Sequence, residues 1–258
     1  MVTIVPAHTA STISDNRFFM GVALAMALVI IAGFSMQFVM SRSTLAAPPL
    51  VHLHGLAFMG WVLLFVTQAR LATAGPLALH RKLGWIAAGW VVLLVVMGLA
   101  ITAHVAMAGT VPFFFRPQYF LIANPLTLAC FALLTASAIH LRRRSDWHKR
   151  LHICAMVSII GPGFGRLLPM PLMGPHAFDI ALVAGLMFPL AGMVRDLRRE
   201  GRVHPAWLWG ILAIVAIIPL AHLVAYSPVG DAIYASVTDG QPGANVPGLE
   251  FPPLPPGM

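Results

Sequence analysis

The chain has 258 residues, of which 59% are hydrophobic and only 9% charged. Soluble domains carry about 25% charged residues, so a free-standing soluble domain is excluded. The formal net charge is +8, but the basic residues gather in short connections between apolar stretches. That placement points to anionic headgroups and excludes nucleic acid as a partner.

Seven apolar stretches follow one another: 18–40, 51–72, 83–107, 118–141, 149–169, 178–195 and 206–227. Crossing about 30 Å of hydrocarbon at 1.5 Å per residue takes roughly 20 residues, so each stretch can span a bilayer. Helices are required, because in lipid each backbone N–H and C=O must be satisfied within its own segment. The alternation of an outer-membrane barrel is absent. The first stretch is not a cleavable signal peptide: its apolar run is too long, no basic segment precedes it and no small-residue motif follows.

Arg70, Arg81 and Lys82 lie in the second connection, Arg142, Arg143, Arg144, Lys149 and Arg150 in the fourth, and Arg195, Arg198, Arg199 and Arg202 in the sixth. With Arg17 they fall on one side of a seven-span chain, while only Arg42, Arg116 and Arg166 reach the other. The positive-inside rule then puts the N-terminus in the cytoplasm and the C-terminus in the periplasm of a bacterial inner-membrane protein. The expected fold is all-α, one seven-helix membrane domain over 1–227. Residues 228–258, rich in Pro and Gly and free of Lys and Arg, are expected to form a flexible periplasmic tail. Cys130 and Cys154 both fall inside spans, where buried small hydrophobes are expected rather than a disulfide.

His80-Arg81-Lys82-Leu83 opens the third span and His148-Lys149-Arg150-Leu151 the fifth. Spans 2–3 and 4–5 read as two hairpins of one orientation, giving a central four-helix bundle of spans 2–5. The competing explanation is that any cytoplasmic helix start attracts basic residues.

Eleven histidines stand against eight carboxylates. His52, His54, His104, His176 and His222 project to the outer level, and His80, His140, His148, His152 and His204 to the inner one. His54, His104 and His222 match in depth on spans 2, 3 and 7. A neutral imidazole offers one nitrogen to a metal and the other to a supporting acceptor. Two such rings could hold a haem iron, and three could hold Cu or Zn. Span 2 also carries His54, Trp61 and Gln68 at seven-residue spacing, and span 3 answers with Trp90, Met97 and His104. The stripes suit a flat buried cofactor or an ordinary interhelical seam. Arg166, after Gly161-Pro162-Gly163, could pair with a haem propionate, an anionic substrate, Asp179 or a lipid phosphate. His148 and His152 lie one turn apart, but Lys149 stands where a zincin-type site needs Glu. His140 and His152 are weaker ligand candidates for an inner site. Asp179 is read as favoured by the start of span 6 and its helix dipole.

The run His54-Gly55, Gln68, His80-Arg81-Lys82-Leu83-Gly84, Asp146-Trp147-His148-Lys149-Arg150 and Arg166 resembles a bacterial family of predicted membrane proteins of unknown function, over residues 50–168. The chain departs from that pattern at Trp85 and at Leu151-His152, and the family implies no activity. A weaker resemblance, to the haem-binding four-helix core of the cytochrome b561 and ferric-reductase type, implies haem b held by histidines paired across helices. Here His54 and His104 could supply an outer pair, whereas span 4 offers Gln118, Tyr119 and Asn124 in place of histidine.

The leading expectation is a haem- or metal-binding redox or electron-transfer protein, with His54 and His104 as ligands, His222 as a third ligand or neighbour and Arg166 as anion partner. A non-enzymatic accessory or scaffold subunit of a membrane complex is the alternative. Copper handling comes third, from Met36, Met40, Met107, Met170 and Met173, whose soft thioethers suit Cu(I).

Overall fold

The computed structural model of the protein describes residues 7–41 and 46–253, with side chains from residue 15 onward. Arg42 lies outside the described residues. Ten α-helices follow in order: α1 Ala7–Val39, α2 Pro49–Ala74, α3 Leu77–Met107, α4 Pro117–His140, α5 Ser145–Leu167, α6 Ala177–Ala184, α7 Met187–Glu200, α8 Pro205–Val215, α9 Ile217–Ala225 and α10 Pro228–Thr238. Two 3-10 turns, Met170–His176 and Pro242–Asn245, complete the described structure, which contains no strand.

Among the described residues, six segments are long and apolar enough to cross a membrane: Asp15–Val39, Pro49–Ala74, Leu77–Met107, Pro117–His140, Met170–Glu200 and Pro205–Ala225. They mark a multi-pass membrane protein. Leu28, Leu63, Val92, Leu133 and Leu212 stand exposed on their surfaces, as residues facing hydrocarbon do. Two of these segments are broken at proline. Pro189 has no N–H for the carbonyl of Gly185, so α6 stops and α7 begins there. Pro219 does the same between α8 and α9.

The remaining long helix, α5, carries Asp146, Lys149, Arg150 and Arg166 and is less apolar than α1 to α4. It is also central, together with α4. Twelve of its 23 residues are buried, as are thirteen of the 24 in α4, against four of the 26 in α2 and six of the 31 in α3. α5 packs on α1, α4, α6, α7 and α8, while α2 packs on α1 and α3. The core is therefore centred on α4 and α5, and the α2–α3 hairpin, which the sequence places in a central bundle, lies at its edge. A helix covered by protein on most sides has little lipid to meet, which is why it tolerates this polarity.

Glycine makes the close packing around α5. A Cβ on Gly33 of α1 would sit 2.5 Å from the carbonyl oxygen of Gly163. One on Gly210 of α8 would sit 2.3 Å from the sulfur of Cys154. Small residues at such crossings let helix backbones touch, the main way membrane helices gain packing energy. Cys130 and Cys154 are both buried free thiols, as expected.

The three basic connections and the start of α1 meet at one end of the bundle, hereafter the basic end. Asn16 Nδ2 donates to the Thr73 carbonyl at 2.9 Å, the rings of His80 and His148 lie 6.2 Å apart, and Lys149 Nζ reaches Asp15 at 2.7 Å. Asp15 also accepts from Arg195. Below this surface the guanidinium of Arg150 meets Asp196 through two bonds, at 2.8 and 3.0 Å. Both residues are 1% exposed. Trp207 Nε1 donates to the same carboxylate at 2.9 Å. The cluster ties together α1, α5, α7 and α8.

Residues 228–253 differ from the extended tail expected from their Pro and Gly content. α10 packs on α3, α4 and α9, and Tyr234 donates to the carbonyls of Gly243 and Val246 at 3.2 and 3.0 Å. Gln118 fixes the segment: its Nε2 bonds Asp231 at 2.7 Å and its backbone N–H bonds the Gly248 carbonyl at 2.8 Å. Gly243 fits because a Cβ there would lie 2.0 Å from the Ala106 carbonyl. The glycines read as flexibility serve as points of close backbone approach.

Candidate functional site

The expected pair, His54 and His104, sits on antiparallel neighbours whose register is set by three contacts. Gln68 Nε2 donates to the His80 carbonyl at 3.2 Å, Trp90 Nε1 donates to the Ala57 carbonyl at 2.9 Å, and His54 reaches the Met97 backbone. His54 therefore lies opposite Met97. His104 is seven residues further along α3, about 10 Å of helix rise. The matching seven-residue stripes are thus offset by one repeat. His54 packs on Phe58 with ring centroids 4.4 Å apart, its Nδ1 is buried without a partner, and the charge of Arg166 acts on it. Arg166 itself donates to the Pro162 carbonyl at 2.9 Å and lies over the Phe34 ring at 4.1 Å.

His222 stands elsewhere, across α4. Its Nε2 lies 3.0 Å from Asp179 Oδ2, and the Tyr119 hydroxyl donates to Asp179 Oδ1. His176 Nδ1 approaches the same carboxylate at 4.0 Å. Asp179 is buried. An ionised carboxylate accepts only, so Nε2 of His222 carries the proton, and in the neutral ring Nδ1 keeps the lone pair. The imidazole is held between rings, with centroids 4.7 Å from Tyr119 and 5.4 Å from Tyr226.

Three helices supply this cluster. Tyr119 is in the first turn of α4, after Arg116 at its N-cap. Asp179 is in the first turn of α6, and His222 in the last turn of α9. Arg116 Nη1 donates to the Tyr226 hydroxyl at 2.7 Å and lies 5.0 Å from the Phe251 ring, so the segment after α10 closes over it. The arrangement contains an anion, a cation, an oriented imidazole and two phenols at one end of the bundle. It can hold a ligand through the His222 lone pair and an anionic group through Arg116.

Sequence reading assigned Asp179 to a helix terminus and missed this carboxylate as the hub. The available signal was a carboxylate entering an apolar stretch, in a chain with eight of them, at the end where His222 and Tyr119 also fall.

At the basic end, His152 joins His148, ring centroids 4.6 Å apart, and His148 in turn meets His80. Nδ1 of His148 is occupied by the Ala138 carbonyl at 2.8 Å. His140 stands apart, at the end of α4 beside a groove lined by α3 and α4. Among the described residues, no group of three or more His, Cys, Asp or Glu side chains is disposed to hold a metal ion. The methionines are dispersed in kind: Met36 on α1 and Met40 just after it are exposed, while Met170 is sealed in the core.

No family model, curated protein or solved structure matches this chain.

Proposed function

We propose that the protein crosses a bacterial inner membrane seven times, α5 included, with the basic end in the cytoplasm, and that it carries out redox or metal-handling chemistry at its periplasmic end through His222. The clustering of Arg and Lys at one end supports the orientation. The observation that carries the function is the Tyr119–Asp179–His222 chain of hydrogen bonds. A carboxylate on the far nitrogen fixes the tautomer and raises the basicity of an imidazole, the support that ligating histidines have.

The resemblance to haem-binding four-helix cores belongs to this proposal in altered form. His54 and His104 are offset along their helices and fit a shared iron poorly. His222 fits as a single ligand, with Arg116 beside it for a propionate or other anion. A bound haem b or copper ion would supply one-electron chemistry; the protein's part is to hold it and to orient the imidazole. The test is the haem and metal content of full-length protein, purified in detergent from cells supplied with both. Stoichiometric content, falling by about 10–100-fold in affinity in Asp179→Asn, supports the proposal. A colourless, metal-free preparation removes it, and removes copper handling by methionines with it.

The second reading is a non-enzymatic accessory subunit. It is favoured by carboxylates committed to structural ion pairs. Co-purification of a stoichiometric membrane partner, without cofactor, would select it.

A further inference from the structure

A groove of about 460 Å³ runs between α3 and α4 at the basic end, away from the histidine cluster just described. Its walls are Val91, Val92, Ala132, Thr135 and Ala136, and His140 and Arg142 stand at its mouth. The volume is in the range of small-molecule sites. Three observations say what occupies it.

The first is Thr135. It is 2% exposed, and its hydroxyl has no hydrogen-bond partner. A buried hydroxyl without a partner is costly, and a ligand with an acceptor at this depth would satisfy it. The second is charge. Arg142 donates to the Ile139 carbonyl at 3.2 Å and lies 6.0 Å from the Trp85 ring, which leaves other N–H donors free. Arg81, Lys82, Arg143 and Arg144 are exposed nearby. The carboxylates at this end, Asp15, Asp146, Asp196 and Glu200, are engaged by Lys149, Arg150 and Arg195. The rim therefore carries cations with no acidic partner among the described residues. The third is spacing. Thr135 lies five residues before the end of α4 at His140, about 8 Å along the helix, and Arg142 stands just beyond that end at the groove's mouth, so the hydroxyl lies below the cation as ester carbonyls lie below a phosphate.

We infer that this groove binds one anionic phospholipid, with phosphate at Arg142, an ester carbonyl at the Thr135 hydroxyl and an acyl chain along Val91, Val92, Ala132 and Ala136. Small residues along a groove also suit a second helix. A symmetric second copy would bring the two unpaired basic rims together, which disfavours it.

The experiment uses the full-length protein, delipidated in detergent and offered equal amounts of phosphatidylglycerol and phosphatidylcholine. Native mass spectrometry reads both retained lipid and oligomeric state. One phosphatidylglycerol is retained per chain, in preference to phosphatidylcholine by roughly tenfold, about the worth of one charge-assisted contact. Ala136→Trp, which fills the groove, abolishes retention; Thr135→Val and Arg142→Gln each weaken it. If Ala136→Trp does not fold, the two conservative variants decide. Equal retention of both lipids, or phosphatidylglycerol retention unchanged in Thr135→Val and Arg142→Gln, overturns the inference. So does a dimer that dissociates in Ala136→Trp, which would assign the groove to a second copy.

Discussion

Asp179 and Asp196 are carboxylates in apolar surroundings, and they do opposite work. Asp196 is matched by a bidentate guanidinium and an indole N–H, so its charge is spent on holding helices together. Removing one partner of a buried pair leaves the other uncompensated, at a cost of about 3–5 kcal/mol. Asp196→Ala should lower the thermal unfolding midpoint in detergent sharply. The double variant Arg150→Met with Asp196→Leu should recover most of the loss, and failure to recover would show that the guanidinium is needed for more than pairing. Asp179 is matched by a phenol and a half-exposed imidazole, which leaves the pair able to act on something else. Tyr119→Phe withdraws one donor from that carboxylate and should cost about 1.5–3 kcal/mol, as hydrogen bonds to charged groups do. A change below that in the same unfolding assay would mean the hydroxyl has another role. The histidines were legible as the chemistry-bearing residues because ionisable groups in apolar stretches are rare. Their partners were not legible: depth can be read from span position, but which faces of two helices meet depends on packing. His222 meets Asp179 and two tyrosines, whereas His54 meets Phe58.

At the scale of helices, the long apolar elements were readable from hydropathy alone, and the six membrane-crossing segments coincide with expected ones. The breaks at Pro189 and Pro219 follow from the missing N–H. In α4, Asn124 Nδ2 bonds the Phe120 carbonyl at 2.8 Å, one residue before the carbonyl that Pro125 frees. The fold of 228–253 was not legible, because its order comes from Gln118 and from glycine contacts with distant helix ends. The crossing of α1 and α5 at Gly33 and Gly163 tolerates no side chain: Gly33→Leu should destabilise the protein by about 1–3 kcal/mol through overpacking. Unfolding in detergent checks this, and a neutral effect would show that α1 is free to shift.

The turn into α8 gives a pH dependence. His204 Nδ1 accepts from the Ala206 N–H at 3.2 Å, which requires an unprotonated nitrogen. Burial first, and then the nearby Arg150 charge, holds its pKa below the usual imidazole range. As pH falls through about 6.5, the unfolded chain takes up the proton before the folded one, so stability declines. His204→Asn keeps an N-cap acceptor that does not titrate. Its unfolding midpoint should fall less than that of the native protein between pH 7 and pH 5. Equal slopes would contradict the assignment.

For the whole molecule, the organising fact is polarity along the bundle axis. One end is basic and braced by ion pairs; the other carries the aromatic and imidazole cluster under the folded 228–253 segment. Charge counting along the sequence exposed the first end, since basic connections are local in the chain. The second end is assembled from α4, α6, α9 and the residues after α10, which no local pattern links. The central position of α5 was hidden for a related reason: in a membrane protein, a helix that avoids lipid looks less like a span. The most direct test of the functional claim is a side-by-side determination of haem and metal content in the native protein, His222→Ala and His54→Ala, with reduced-minus-oxidised absorbance recorded on each. The account predicts a bound redox centre that is lost in His222→Ala and kept in His54→Ala. A centre that survives His222→Ala, or is lost only with His54→Ala, would contradict it.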